Sequence, residues 1–121
     1  MTPMPQLRLT ASDDVLVATI SGEIDMASAG ELADGIRTRL TNRMLGLVMD
    51  LSAITYLDSA GIHAIFELRE QLGHRGQELW LVMPEPGAAL ALTLAGVPDV
   101  IPVAETADAA REAIAAHPGS H

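Results

Sequence analysis

The feature that most constrains this chain is an apolar run that passes, within a dozen residues, into an amphipathic repeat. Leu45-Gly46-Leu47-Val48-Met49 is apolar except at one glycine, which suits a strand buried on both faces. Further on, Ile62, Ile65, Leu68 and Leu72 recur at helical spacing, with Ala64 beside them. A central strand therefore exits, crosses a short connection and enters a helix whose first residues are Asp58, Ser59, Ala60 and Gly61. A hydroxyl there sits where unpaired backbone N–H groups and the positive end of the helix dipole converge. Such a place can receive a phosphate.

The rest of the chain falls into order around this junction. Leu7, Leu9 and Ala11 alternate with polar residues, as in a half-exposed first strand. Ser12-Asp13-Asp14 reads as a turn, and Val15–Ile20 as a second strand that forms a hairpin with the first. That strand ends at Ser21-Gly22-Glu23-Ile24-Asp25. Ser28-Ala29-Gly30-Glu31 has the spacing of a capping box, and Leu32, Ile36 and Leu40 carry a helix to about Thr41. After the central strand, the Ser59 helix stops near Gly73 or Gly76. Glu78–Met83 is a fourth strand, closed by Pro84. A third helix carries Leu90, Leu92 and Leu94 and ends at Gly96-Val97-Pro98. Val100–Val103 is a short strand whose proline belongs at a sheet edge. Thr106 or Asp108 caps a last helix, bearing Ala110 and Ile114, that ends at His117-Pro118; a loose tail to His121 is expected. Two strands followed by alternating helices and strands predict an α/β layer on a largely parallel sheet. The expectation is one domain over residues 1–121, core about 6–117, with about five strands and about four helices.

Composition removes several functions. The chain of 121 residues carries 16 acidic against 7 basic residues, a net charge of −9. That disfavours nucleic acid and anionic membrane as partners, since both require a basic surface. Aromatic content of 2% provides no platform for stacking bases. There is no cysteine, which excludes disulfides, thiolate zinc sites and thiol catalysis. No apolar run approaches the roughly 20 residues that span a bilayer. Met1 to Gln6 has neither a basic start nor an apolar core, so no signal peptide is read and a cytoplasmic chain is expected.

Crossover topology brings two stretches together. If the second and central strands are parallel, joined by a helix over Ser28–Leu40, their carboxyl ends share one edge of the sheet. Gly22-Glu23-Ile24-Asp25 and Asp58-Ser59 then emerge side by side, where open α/β sheets place their sites. Ser59 and Asp58 are both preferred helix caps, and two cappers in series leave one side chain spare. Asp25 and Asp58 read either as carboxylates serving a hydroxyl or as residues that merely end an element. Gly61 either permits close approach of another backbone or packs the helix tightly on the sheet.

Asp-Leu-Ser at Asp50–Ser52, Leu-Asp-Ser-Ala-Gly-Ile at Leu57–Ile62 and Gly-Glu-Ile-Asp at Gly22–Asp25 together resemble the signatures of STAS domains, in particular bacterial anti-sigma factor antagonists. The order of elements matches that fold over roughly residues 6 to 117. The resemblance implies that Ser59 is a phosphoacceptor for a partner serine kinase that is also an anti-sigma factor. The partner supplies ATP and Mg²⁺, so this chain needs no cofactor or metal of its own. It implies that Asp25 lies beside Ser59 and helps present it, with Asp58 and Gly61 completing the surroundings. Unphosphorylated, such a protein holds the kinase and so releases a sigma factor; a phosphatase would reverse the modification. The family position after the acceptor is often Ser or Thr, and Ala60 here leaves Ser59 as the sole acceptor in the motif.

Glu23, Ala60, Ile62, His63 and Phe66 are the candidate partner contacts. Ile62, His63, Phe66, Arg69 and Glu70 are expected on the flank of the helix shared with Ser59, while Ala64, Ile65, Leu68 and Leu72 face the sheet. Phe66, the one Phe of the chain, is either a contact anchor or core. Two alternatives stand beside the phosphoswitch. One is a STAS scaffold or small-ligand sensor without it. The other, from a different class, is a serine hydrolase using Ser59 and His63. The nucleophile elbow Gly-x-Ser-x-Gly has Leu57 at its first position, and a histidine one turn along would fold back awkwardly. The histidines at 63, 74, 117 and 121 show no metal-ligand spacing.

Overall fold

The computed structural model describes residues 5–116. The first two elements make a hairpin. Strand β1 (Gln6–Ser12) pairs antiparallel with β2 (Val15–Ile24) across a two-residue turn. Asp13 and Asp14 both take positive φ, 54° and 61°, the twist of a type I′ turn, which aspartate tolerates better than most residues. Helix α1 (Ala29–Arg39) then crosses to β3 (Gly46–Leu57), which lies parallel to β2. Helix α2 (Ser59–His74) leads to β4 (Glu78–Val82), parallel to β3 on its other side. Helices α3 (Pro86–Leu94) and α4 (Val97–Val100), edge strand β5 (Val103–Ala104) and helix α5 (Ala107–Ala115) complete the chain. The five strands lie in the sheet in sequence order, β1-β2-β3-β4-β5.

Alternation along β3 separates two cores. Leu47, Met49 and Leu51 face α1 and α2, meeting Ile36, Ile65, Leu68 and Leu72. Val48 points the other way, to join Val15 and Val82 beneath Ala110 and Ile114 of α5. Both faces of the sheet are thus covered, and the near-continuous apolar run of β3 follows from that. Arg111 ties α5 to the hairpin tip through Asp13. The buried Gln77 donates to the carbonyls of Thr41 and Met44 at 2.8 and 2.9 Å, fixing the turn before β4 against the turn before β3.

Several expectations change. Beyond Met49 there is no separate connection: β3 continues to Leu57, and Asp58 alone joins it to α2. Strand β2 likewise runs on through Ser21–Ile24, with register shifts against β3 at Thr19/Ser21 and Gly22/Glu23. The described residues hold five helices, not four. Gly96 adopts a left-handed conformation, φ 79°, and lets the chain turn into a single helical turn at Val97–Val100. The expected strand over Val100–Val103 therefore starts only at Val103, because Pro102 has no N–H to donate; its carbonyl does accept from Leu81 N–H at 3.0 Å. The Ser28–Glu31 capping box does not form. Ser28 has helical backbone angles and turns its hydroxyl back to Asp25. The expected end at His117-Pro118 and the tail to His121 lie outside the described residues.

Candidate functional site

Parallel pairing of β2 and β3 ends at Ile24↔Leu57, so the next residues of both strands leave the sheet side by side. Asp58 N–H donates to the Ile24 carbonyl at 3.2 Å, carrying the pairing one step further. The Asp58 carboxylate then divides its two oxygens. Oδ1 accepts from the amides of Ala60 and Gly61, at 2.9 and 3.3 Å, and caps α2. Oδ2 accepts from Met26 N–H at 3.1 Å, reaching across to the chain that leaves β2.

Asp58 is the N-cap and Ser59 the first residue of the helix. The two cappers in series are thereby resolved. Ser59 is exposed, and its hydroxyl makes no side-chain hydrogen bond among the described residues. Asp25 has a different job. Its Oδ1 accepts from Ala27 N–H, Ser28 N–H and the Ser28 hydroxyl, at 3.0, 3.1 and 3.1 Å. The Ser28 hydroxyl in turn accepts from Asp25 N–H at 3.1 Å. This closed turn delivers the chain from β2 into α1, and no hydrogen bond joins Asp25 to Ser59.

Gly61 is buried against the end of the sheet. A Cβ there would stand 2.3 Å from Leu57 Cδ1 and 3.0 Å from Ile24 Cγ2. Tight seating of helix on strand ends is the reason for glycine here, and it lets the first turn of α2 sit directly over Ile24 and Leu57. Of the other candidates, Glu23 is half-buried on β2, in register with Tyr56. Ala60, Ile62 and Phe66 are half-buried and pack against the main core, so Phe66 is anchored inward. His63 is exposed and sits with Nε2 at 2.5 Å from Glu67 Oε1, one turn further along. It is thus paired away from Ser59. Arg69 and Glu70 are exposed, as expected of that flank. No group of three or more His, Cys, Asp or Glu among the described residues stands together as a metal site.

Sequence reasoning missed two participants. Met26, 83% exposed, supplies the amide that binds Asp58 and stands as a bare apolar side chain at the rim. Ser28 closes the Asp25 turn. The spacing Asp-x-x-Ser was a legible signal for the second, because a carboxylate so placed satisfies the amides of the following turn. For the first there was no signal, since the donor is backbone.

A strand–helix junction capped by its own aspartate, with a free serine after the cap and a second strand end beside it, defines a class of fold and site. The chain belongs to the STAS domain family, whose profile matches residues 6–110, and within it to the anti-sigma factor antagonists. It is 26% identical over 108 residues to BtrV of Bordetella bronchiseptica, provisionally named an anti-sigma factor antagonist, covering 89% of this chain and 93% of that one. An anti-sigma factor antagonist from Mycobacterium paratuberculosis superposes with a TM-score of 0.80 at 30% identity, covering 91% of this chain and 93% of the other. The fold is also that of SpoIIAA in its unphosphorylated form, with a TM-score of 0.77 at 16% identity over 90% of this chain and 96% of that one.

Proposed function

We propose that this protein is a phosphorylation-controlled antagonist of an anti-sigma factor. Unphosphorylated, it binds an anti-sigma factor that is also a serine kinase, and a sigma factor is released. Phosphorylation of Ser59 ends the complex, and a phosphatase restores it. The protein acts in the cytoplasm by binding, and the partner supplies ATP, Mg²⁺ and the catalysis.

One observation carries this reading. Asp58 does the capping, so the Ser59 hydroxyl is exposed and uncommitted at the first position of α2. A serine needed for structure would have been spent on the helix terminus. The pairing of His63 with Glu67 supports the same reading, because no base is aimed at the serine oxygen. Bacillus SpoIIAA, of the same fold, has also been solved in a phosphorylated form.

The test is direct. Incubated with an anti-sigma factor kinase of the source organism and ATP-Mg²⁺, the protein gains one phosphate by intact mass, and Ser59→Ala gains none. Phosphate on Ser59→Ala, or none on the wild type, overturns the assignment.

A further inference from the structure

The pole of the molecule away from Ser59 holds a concavity of its own. Helices α1 and α2 both end there, and between their last turns lies a pocket of about 290 Å³. That is at the small end of the range of about 300–1,000 Å³ that small-molecule sites occupy. Its floor is apolar. Leu68 and Leu72 of α2 are buried, and Leu40, the C-cap of α1, is half-buried beside them. The polar part of the lining is Arg37, Gln71, His74, Arg75 and Gln77, with no carboxylate among them.

Cations at helix C-termini commonly serve the last carbonyls and the dipole. Here those carbonyls have other donors. Leu40 N–H donates to the carbonyls of Ile36 and Arg37, and the amides of Arg75 and Gln77 both donate to that of Leu72. Arg37 is matched, donating to Gln71 Oε1 and Asp34 Oδ1 at 2.7 and 2.8 Å and to Glu67 Oε2 at 3.3 Å. It forms a fixed wall. Arg75 is exposed, and its guanidinium makes no hydrogen bond or ion pair among the described residues. His74 approaches the Glu70 carboxylate only to 3.9 Å. Gln77 is 7% exposed, and its Oε1 is a buried acceptor without a partner among the described residues, which is uncommon in a wall that binds nothing. Arg37, Arg39, Arg43 and Arg75 put four of the seven basic residues at this pole of a chain with net charge −9. The local charge therefore draws an anion that the molecule as a whole repels.

We propose that this pocket binds a small amphipathic carboxylate, its hydrocarbon part on Leu40, Leu68 and Leu72 and its charged head at Arg75, whose planar fork suits a carboxylate. Helix α2, 16 residues and so about 24 Å long, separates this pocket from Ser59. The two sites can be occupied together, and the inference does not rest on the phosphoswitch.

The test titrates octanoate into the isotope-labelled full chain and follows backbone amide shifts, with octanol as the uncharged counterpart. Octanoate binds saturably and shifts the amides of Leu40, Leu72, Arg75 and Gln77, leaving those of Ser59 and Ala60 in place. Octanol binds roughly tenfold more weakly, and Arg75→Ala loses roughly tenfold in octanoate affinity. The Arg75 side chain has no partner to lose, so the variant keeps the wild-type melting temperature. Should it lose its fold instead, the comparison of octanoate with octanol on the wild type decides alone. No saturable octanoate binding, equal affinity for octanol, or shifts scattered over the surface overturns the site. Wild-type octanoate affinity in a folded Arg75→Ala overturns it too.

Discussion

Met26 N–H donates to Asp58 Oδ2 at 3.1 Å across 32 residues of sequence. Because the other oxygen of that carboxylate caps α2, one side chain locks the exit of β2 to the entry of α2. The surface around Ser59 thereby has a fixed shape before any partner arrives, and binding need not order it.

Asp58→Ala should cost about 1–2 kcal/mol, the loss of an N-cap, and a further contribution from the freed Met26 amide. Asp58→Asn keeps an acceptor for the cap and should cost less. Urea unfolding of the two variants beside wild type measures the difference, with an unchanged m-value showing that the loss is one of stability.

Gly61→Ala sets two effects against each other. Alanine gains about 1 kcal/mol of helix propensity over glycine. The new methyl, however, would lie 2.3 Å from Leu57 Cδ1 and 3.0 Å from Ile24 Cγ2, and overpacking of this kind typically costs about 1–3 kcal/mol. The clash should win, lowering the melting temperature and shifting the first turn of α2. Gly73→Ala, with open space around it in the same helix, should be neutral or stabilising and serves as the control.

Asp25→Asn retains an Oδ1 acceptor for the turn amides while removing a charge one residue before the Met26 amide that binds Asp58. Stability should hold within about 0.5–1 kcal/mol, the worth of one weakened hydrogen bond. Phosphorylation by the kinase should slow. Asp25→Ala, which abolishes the acceptor, should lower the melting temperature as well, and thermal unfolding beside a kinase assay separates the two effects.

Phosphoserine at 59 would find little to hold it. The amides of Ala60 and Gly61 are taken by Asp58, and the phosphate adds about −1.5 to −2 charges beside that carboxylate. The dipole gain of about 0.3–1 kcal/mol at an exposed N-terminus is offset by this repulsion. Circular dichroism and melting temperature of the authentic phosphoprotein should therefore stay near those of the unmodified form, while affinity for the kinase falls. A phosphoprotein that unfolds, or binds equally well, contradicts this.

The alternation of elements, the parallel pairing of β2 with β3 and the meeting of Gly22–Asp25 with Asp58–Ser59 were legible because hydrophobic period and crossover handedness fix them. The lengths of β2 and β3 were not. Ser21–Ile24 and Asp50–Leu57 carry polar residues on their solvated sides and so resemble loops, although the ladder runs through them. The capping box at Ser28 failed for a local reason. Asp25 competes for the same hydroxyl and has the closer geometry, a contest that spacing alone does not decide. Which of Asp58 and Ser59 caps α2 was likewise open in sequence, and three-dimensional placement of Met26 settles it by giving Asp58 a second partner.

The sheet's strand order, identical to chain order, has a consequence for how the molecule is assembled. Each strand adds at the edge left by the one before it in the chain, and none must be threaded between strands that have paired. The hairpin closes over a two-residue turn, while the first two parallel pairings each close about thirty residues around a helix, from Val15 to Gly46 and from Gly46 to Glu78. The exception arrives last. Arg111 reaches Asp13 across 98 residues, so α5 closes over a sheet that is complete and ties the last described helix back to the first hairpin.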